Sequence, residues 1–213
     1  YTSDFVVPAT SPDILPDTPS GVSGGSKLAK VTDGAVNFNA SGDKLTVPNS
    51  SGDFDFGSGD FTIESYLYMT AESGGDAIIS LYNYSSNRRA WNYYYQSSDG
   101  SFEFLVSTTG ANQIKRLDSP VQLPQKRWVH VAVTKASNVY RMFYDGVEVT
   151  NATQSETIFG TGTTADSVGI GDYAHTNGEP YSGFISNIRI LKGTALYTAN
   201  FTPPTRELTN VTN

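Results

Sequence analysis

Hydrophobic and polar residues alternate with a period of two along most of the chain from Gly34 onward, and turn residues interrupt this pattern at short intervals. Such alternation predicts β-strands. The predicted strands are 35–39, 44–47, 60–69, 76–83, 91–97, 101–107, 113–117, 127–135, 138–145, 147–150, 167–173 and 183–191. Because no segment keeps a helical period, we expect an all-β protein, an antiparallel jelly-roll β-sandwich.

Two pairs of turn residues predict tight hairpins, because Asp99-Gly100 and Asp145-Gly146 each lie between apolar runs. The strand at 127–135 places valines on one face and Trp128 and His130 on the other. This pattern predicts a strand that lies between the core and a second layer.

Residues 1–33 differ from the rest of the chain in composition. They contain Pro8, Pro12, Pro16 and Pro19 among Ser, Thr and Asp residues. Prolines at this spacing favour an extended leader or linker over a packed domain, with simple disorder at a terminus as the alternative. We therefore predict a leader at 1–33 and one domain at 34–213.

Composition and charge exclude several classes of protein. Hydrophobic residues make up 38% of the chain and charged residues 16%, which is too apolar for a disordered chain. Cysteine is absent, which excludes disulfides, zinc–thiolate sites and thiol nucleophiles. The net charge of −7 argues against nucleic acid as a partner, and no apolar run is long enough to predict membrane insertion.

Three segments carry a resemblance to one family. They are Gly59-Asp60-Phe61-Thr62-Ile63-Glu64, the segment from Trp128-Val129-His130-Val131-Ala132-Val133-Thr134 to Tyr144-Asp145-Gly146, and the segment from Ile170-Gly171 to Gly183-Phe184-Ile185-Ser186-Asn187-Ile188-Arg189-Ile190. In this order they resemble the strands of laminin-G-like, concanavalin A-like lectin-glucanase domains. The resemblance covers residues 34–205 and implies the jelly-roll fold of that family.

The end of the chain resembles one particular group of these domains. Residues 192–204 read KGTALYTANFTPP, which is similar to the tail of such domains in phage tail-fibre and other virion proteins. We expect the C-terminal segment 193–213 to seal one edge of the sandwich with Leu196, Tyr197 and Phe201.

Catalytic patterns are missing from the sequence. Glycosidases with this fold carry E-x-D-x-x-E or E-x-D-x-E on one strand, but neither Glu64 nor Glu103 begins such a pattern. His130 alternates with valines and is expected to be a packed core residue. His175 lies in a loop, but no G-x-S-x-G nucleophile turn and no phosphate-binding glycine motif accompanies it. We therefore expect a protein that is not an enzyme.

Aromatic residues make glycans the leading candidate ligands. In a strand at 91–96, Trp91, Tyr93 and Tyr95 share one face, while Asn92, Tyr94 and Gln96 share the other. Either face can be core, since Tyr and Trp are common strand residues. We expect a glycan site to be built from loops at one rim of the sandwich rather than from the middle of a sheet. The candidate residues come from two loops: Tyr84, Arg88, Arg89 and Trp91 from one, and Asp172, His175, Asn177 and Glu179 from the other.

Two further groups of polar or charged residues are candidates for a role. Asp172, Asn177 and Glu179 offer hard oxygen ligands, which makes their loop a candidate calcium site, with a plain polar loop as the alternative. No cofactor is otherwise required. Glu64 and Arg189 lie in two of the resembling strands, and we expect them to form a pair that fixes strand register.

The sequence thus predicts a non-catalytic module on a virion surface that adheres to host or environmental glycans. The leader would contact other virion proteins, and a homo-oligomer is an open alternative. A second hypothesis is a purely structural capsid decoration or fibre-assembly protein. A third is a carbohydrate-binding module associated with a glycosidase in a secreted, extracellular bacterial protein.

Overall fold

A computed structural model of the chain describes residues 34–40, 42–70, 75–161, 166–176, 178–205 and 208. These residues form twelve β-strands and no helix. The strands are β1 (Val36–Asn39), β2 (Leu45–Pro48), β3 (Phe61–Met69), β4 (Asp76–Asn83), β5 (Arg88–Gln96), β6 (Ser101–Val106), β7 (Ile114–Asp118), β8 (Trp128–Ala136), β9 (Val139–Tyr144), β10 (Val147–Thr153), β11 (Ser167–Ile170) and β12 (Ser182–Lys192). Among the described residues there is no helix with the length and hydropathy needed to cross a bilayer.

The strands form two antiparallel sheets of six strands each. The first sheet has the order β1-β12-β3-β8-β9-β10, and the second has the order β2-β11-β4-β5-β6-β7. Chain neighbours such as β2 and β3 lie in different sheets, so the chain crosses between layers as in a jelly roll. The predicted all-β antiparallel sandwich is confirmed.

The core lies between the two sheets and follows the period-two pattern of the strands. Val129, Val131 and Val133 of β8 point inward from the first sheet, and Trp91 and Tyr93 of β5 point inward from the second. All five side chains are almost completely buried. The opposite faces of these two strands are therefore available for other roles.

Two glycines are required by local geometry. The predicted hairpin at Asp145-Gly146 joins β9 to β10, and both residues have positive φ (47° and 81°), as a tight hairpin turn demands. Gly183, near the start of β12, has a φ of 147°, and a Cβ there would lie 2.1 Å from the Tyr68 carbonyl oxygen. A side chain at either glycine would disturb strand pairing.

The C-terminal segment covers the outer face of the first sheet, which differs from the expectation that it seals an edge. The Tyr197 and Phe201 rings stack with their centres 3.5 Å apart, and Phe201 packs against the outward-facing His130. Thr134 donates its hydroxyl hydrogen to the Tyr197 carbonyl oxygen at 2.7 Å. Because β8 carries polar groups on this face, the segment buries and satisfies them, and it forms the second layer that the β8 pattern predicted.

A buried ionic network lies beneath this segment. Glu64 accepts hydrogen bonds from His130 (2.9 Å), Tyr197 (2.9 Å) and Arg189 (2.7 Å). Arg189 is the register partner of Glu64 between β12 and β3, immediately after a bulge in β12. The expected Glu64–Arg189 pair is confirmed, and so is the packed position of His130, whose side chain is fully buried. The leader at 1–33 lies outside the described residues.

Candidate functional site

The outer face of the second sheet carries a cavity of about 430 Å³. It opens between the strands β4, β5 and β6 and the loop that joins β11 to β12. Its lining combines aromatic rings with amide and carboxyl groups: Tyr82, Tyr84, Asn92, Tyr94, Gln96, Glu103, Leu105, Gln113, Tyr173, Thr176, Gly178 and Glu179.

Strand β5 supplies the floor of the cavity. Asn92, Tyr94 and Gln96 alternate with core residues and therefore point outward, as period two predicts. Tyr94 and Gln96 are half-buried, while Asn92 is only 1% exposed. One strand thus provides core aromatics on one side and a polar floor on the other.

Tyrosine rings form one wall. Tyr82 and Tyr173 stack with ring centres 4.6 Å apart. Tyr84, in the turn after β4, is 64% exposed, so its ring presents a large accessible face to solvent. The Arg89 guanidinium lies 4.2 Å from the centre of the Tyr84 ring and 5.8 Å from that of Tyr82. Arg89 itself is nearly buried and supports the rings rather than lining the cavity.

A β-bulge explains why Arg89 reaches these rings. In the β4–β5 pairing, Leu81 lies opposite Trp91, but the next residue, Tyr82, lies opposite Arg89. The extra residue, Ala90, breaks the alternation, so Arg89 and Trp91 lie on opposite sides of the sheet although they are two apart in sequence.

The polar groups of the cavity differ in the hydrogen-bond and ion-pair partners that they have. Asn92 donates its amide hydrogen to the Tyr173 hydroxyl at 3.0 Å, whereas its buried Oδ1 has no hydrogen-bond partner among the described residues. Tyr94 donates a long hydrogen bond of 3.4 Å to Glu179. Glu103 forms an ion pair with Lys115 of β7. The half-buried Glu179 carboxylate is therefore the acceptor that a bound molecule can reach, whereas the Asn92 Oδ1 has almost no accessible surface.

Burial raises the pKa of three groups in the cavity. It raises the pKa of the Glu179 carboxyl above its ordinary value, and the hydrogen bond from Tyr94 only partly opposes this. Burial and then the charge of Glu179 raise the pKa of Tyr94. Burial also raises the pKa of Glu103, against the opposing effect of Lys115. These shifts show a partly desolvated site.

Asp172 holds the loop that forms the second wall. Its Oδ1 accepts hydrogen bonds from the backbone N–H groups of Tyr173 (2.7 Å) and Glu179 (3.1 Å). Lys44 donates to the carbonyl oxygens of Tyr173 (3.1 Å) and Thr176 (3.2 Å). The loop is therefore fixed from both sides, and Glu179 is held in place at the cavity edge.

Arg88 and His175 lie next to each other at one acidic side chain. The Arg88 Nε donates to Asp166 at 2.6 Å, and the His175 Nε2 lies 3.8 Å from the other oxygen of Asp166. The two candidate loops thus meet at one end of the sandwich. Neither residue is among those that line the cavity, and both are placed to hold the loops together.

Trp91 belongs to the core. It is 1% exposed, stacks on Phe56 and donates its indole hydrogen to the Phe54 carbonyl oxygen at 2.9 Å. Its side chain therefore has no surface to offer a ligand.

The candidate calcium ligands are only partly described. Asn177 lies outside the described residues. Asp172 uses its Oδ1 for backbone N–H groups, and Glu179 accepts from Tyr94. Within the described ranges, no group of three or more His, Cys, Asp or Glu side chains fits a metal ion. The calcium site therefore stays a prediction, and no role is assigned to a metal here.

The position of the cavity differs from the expected rim site. Tyr84 and Glu179 were predicted and do lie in loops, but the floor is the sheet face itself. Sequence reasoning did not assign Tyr82, Glu103, Leu105, Gln113, Tyr173 or Thr176 to a site. The outward face of β5 was the available signal, since it combines an amide, a tyrosine and a second amide.

Comparisons with known proteins describe the fold further. A family model described as the concanavalin A-like lectin/glucanases superfamily matches residues 39–197. The carbohydrate-binding module CBM40 of the Ruminococcus gnavus IT-sialidase, solved with α2,3-sialyllactose, has a TM-score of 0.55 and 18% identity, covering 73% of this chain and 94% of its own. Domain 4 of the Geobacillus stearothermophilus arabinanase AbnA, solved with arabinotriose, has a TM-score of 0.56 and 16% identity, covering 84% and 81%.

A third similar structure comes from an animal protein. Domains LG4-5 of the mouse laminin α1 chain have a TM-score of 0.53 and 16% identity, covering 83% of this chain and 44% of theirs. No curated protein matches the chain in sequence. At these identities the structural likeness shows the fold, which is that of carbohydrate-binding modules and laminin G domains.

Proposed function

The chain belongs to the concanavalin A-like lectin/glucanase superfamily, and we propose that it is a non-catalytic module that binds glycans in the cavity on the second sheet. The observation that carries this proposal is the combination of an exposed tyrosine ring with a partly satisfied polar acceptor in one open cavity. Tyr84 supplies the ring, and Glu179, which holds one long hydrogen bond from Tyr94, supplies the acceptor.

The chemistry of a sugar matches this arrangement. A pyranose or furanose ring has an apolar C–H face, which packs against an aromatic ring, and hydroxyl groups at its edge, which donate hydrogen bonds. In the cavity, the Tyr84 ring can take the first role, while the Glu179 carboxylate accepts from the second. Arg89 holds the Tyr84 ring from behind, which reduces the entropy that is lost when a sugar binds.

The similar structures support the proposal without establishing it. The Ruminococcus gnavus module was solved with sialyllactose and the Geobacillus domain with arabinotriose. Both are parts of larger enzymes and were solved with a bound carbohydrate. These likenesses therefore support the alternative of a secreted module that is associated with a glycosidase.

One observation favours a second candidate function, hydrolysis. Glu103 and Glu179 line the same cavity, and burial raises the pKa of both, as it does for the general acid of a glycosidase, although the second carboxylate of such a pair must stay ionised. Against this, Lys115 already binds Glu103 and Tyr94 already donates to Glu179. We therefore keep binding as the proposal, and an assay for reducing ends on any glycan that binds will separate the two functions.

We also propose where the module is located and what it is attached to. The KGTALYTANFTPP tail favours a virion surface, where the leader at 1–33 would attach the domain at 34–213 to other virion proteins. A purely structural decoration or fibre-assembly role would need no cavity ligand. Glycan binding therefore distinguishes the adhesive role from the structural one.

A glycan array followed by calorimetry tests the proposed function. We expect the wild-type chain to bind a subset of glycans and the Tyr94→Ala variant to lose that binding. The matched control is Tyr68→Ala, which removes a half-buried tyrosine from the outer face of the opposite sheet. An array with no bound glycan, or equal binding by Tyr94→Ala and wild type, would contradict the proposal.

A further inference from the structure

We infer that the cavity selects uncharged glycans and rejects those that carry a carboxylate, with Glu179 as the specificity-determining residue. This inference rests on the proposed function, because it concerns the same cavity. It goes beyond that function by assigning a ligand class, and the class differs from the sialylated sugar with which the Ruminococcus gnavus module was solved.

First, the cavity presents a hydrogen-bond acceptor to a bound molecule, so the molecule must supply the donor. The ionised Glu179 carboxylate at the cavity edge can only accept. A sugar hydroxyl donates to it, whereas a ligand carboxylate has no hydrogen to give and would place a second negative charge beside it.

The second support is the charge of the lining. The described residues that line the cavity include Glu103 and Glu179 but neither lysine nor arginine. Glu103 is compensated, because Lys115 forms an ion pair with it. The described contacts of Glu179 include a neutral hydroxyl, that of Tyr94, but no cation. Glu179 therefore carries the uncompensated charge that an acidic sugar would meet.

The cations that contact lining residues are already engaged. Lys115 binds Glu103, Lys44 donates to two carbonyl oxygens of the loop, and the Arg89 guanidinium lies against the Tyr84 and Tyr82 rings. Each of these cations therefore already has a partner among the described residues. The net charge of −7 adds a long-range repulsion of the same sign.

Paired glycans test this inference. The probes are lactose with its sialylated form, sialyllactose, and xylotetraose with and without a glucuronic acid branch, all measured by calorimetry at low salt so that screening is small. In each pair that binds, we expect the neutral member to bind at least about tenfold more tightly, a ratio that corresponds to about 1.4 kcal/mol.

Two variants test whether the charge of Glu179 causes the preference for neutral glycans. Glu179→Gln keeps the shape and an accepting oxygen but removes the charge, so we expect the ratio of neutral to acidic affinity to fall to about twofold to threefold, whatever the change in the neutral affinity itself. Glu148→Gln makes the same change of charge on the first sheet, where Glu148 pairs with Arg141, and should leave the ratio unaltered.

The outcomes are distinguishable. Equal or tighter binding of the acidic members by the wild type overturns the selectivity and leaves the proposed function in place. An unchanged ratio in Glu179→Gln overturns the role of this residue. If no glycan binds to a correctly folded chain, here or on the array, the proposed function fails, and the selectivity fails with it.

Discussion

The Arg89 guanidinium lies 4.2 Å from the centre of the Tyr84 ring, and the two residues differ sharply in exposure, since Arg89 is 9% and Tyr84 is 64% exposed. A nearly buried cation thus holds an exposed aromatic ring in a fixed place. This arrangement is costly to maintain for stability alone, because an exposed ring buries little apolar surface. It is well suited to presenting a flat surface to a ligand.

Replacement of Tyr84 should therefore affect binding more than folding. We expect Tyr84→Ala to weaken glycan binding by about 1–3 kcal/mol, by analogy with base stacking on aromatic side chains. Its melting temperature should stay close to that of the wild type because the ring is largely exposed. Val147→Ala, an exposed apolar residue on the first sheet, is the control for both measurements. A large loss of stability in Tyr84→Ala would show that the ring is structural.

Trp91 should behave in the opposite way. Its indole ring is buried against Phe56, so Trp91→Ala should lower the free energy of unfolding by about 3–5 kcal/mol. Trp91→Phe, which keeps a ring in the core, should lose less. Glycan affinity measured well below the melting temperature should remain near the wild-type value. A stable Trp91→Ala variant that no longer binds glycans would instead place Trp91 in the binding surface.

The buried Glu64 network should make folding stability depend on pH. Burial alone would raise the pKa of Glu64, but the hydrogen bond and charge of His130 and the charge of Arg189 outweigh it and hold this pKa below its ordinary value. Because the folded-state pKa is the lower one, Glu64 stabilises the fold above its unfolded pKa. This stabilisation is lost as pH falls through the folded pKa.

Urea unfolding at a series of pH values tests this network. At neutral pH, Glu64→Gln should cost about 3–5 kcal/mol, since it leaves the Arg189 charge buried without its partner. The variant should also lose less stability than the wild type on acidification. Glu148→Gln, which breaks a more exposed pair with Arg141, should cost about 0–1 kcal/mol. Parallel pH curves for Glu64→Gln and wild type would show that Glu64 does not contribute in this way.

Removal of residues 1–33 should leave the sandwich intact. The core cluster of the described residues runs from Phe38 to Ile185 and joins both sheets, so the described part of 34–213 has a continuous core of its own. We expect the truncated chain to melt within a few degrees of the full chain and to lose attachment to a virion where the full chain attaches. A large fall in melting temperature on truncation would move the domain boundary into the leader.

Most strands could be predicted from sequence because they contribute residues to the core. For example, 76–83 was predicted and β4 is Asp76–Asn83, a mostly apolar strand in which seven of the eight residues are buried. β5 begins at Arg88, ahead of the predicted 91, because the bulge at Ala90 interrupts the period on which the prediction rests. The order of strands in the sheets is set by contacts between distant residues, which no local pattern records.

The candidate site was only partly predictable for the same reason. Tyr84 and Glu179 stand out as loop residues, and both line the cavity. Glu103 and Tyr173 carry no local signal, since each reaches the cavity only because β6 and the β11–β12 loop lie beside β5. The C-terminal segment was predicted to seal an edge. Its own sequence does not show that the outer faces of β3 and β8 carry polar groups, which the segment covers.

The most direct test of glycan binding in this cavity is a crystal structure of the chain with a glycan that the array identifies. We expect density for a sugar ring against Tyr84, with a hydroxyl group within hydrogen-bond distance of the Glu179 carboxylate. Density for the glycan on the first sheet, or at the Arg88–His175 end away from the cavity, would contradict it.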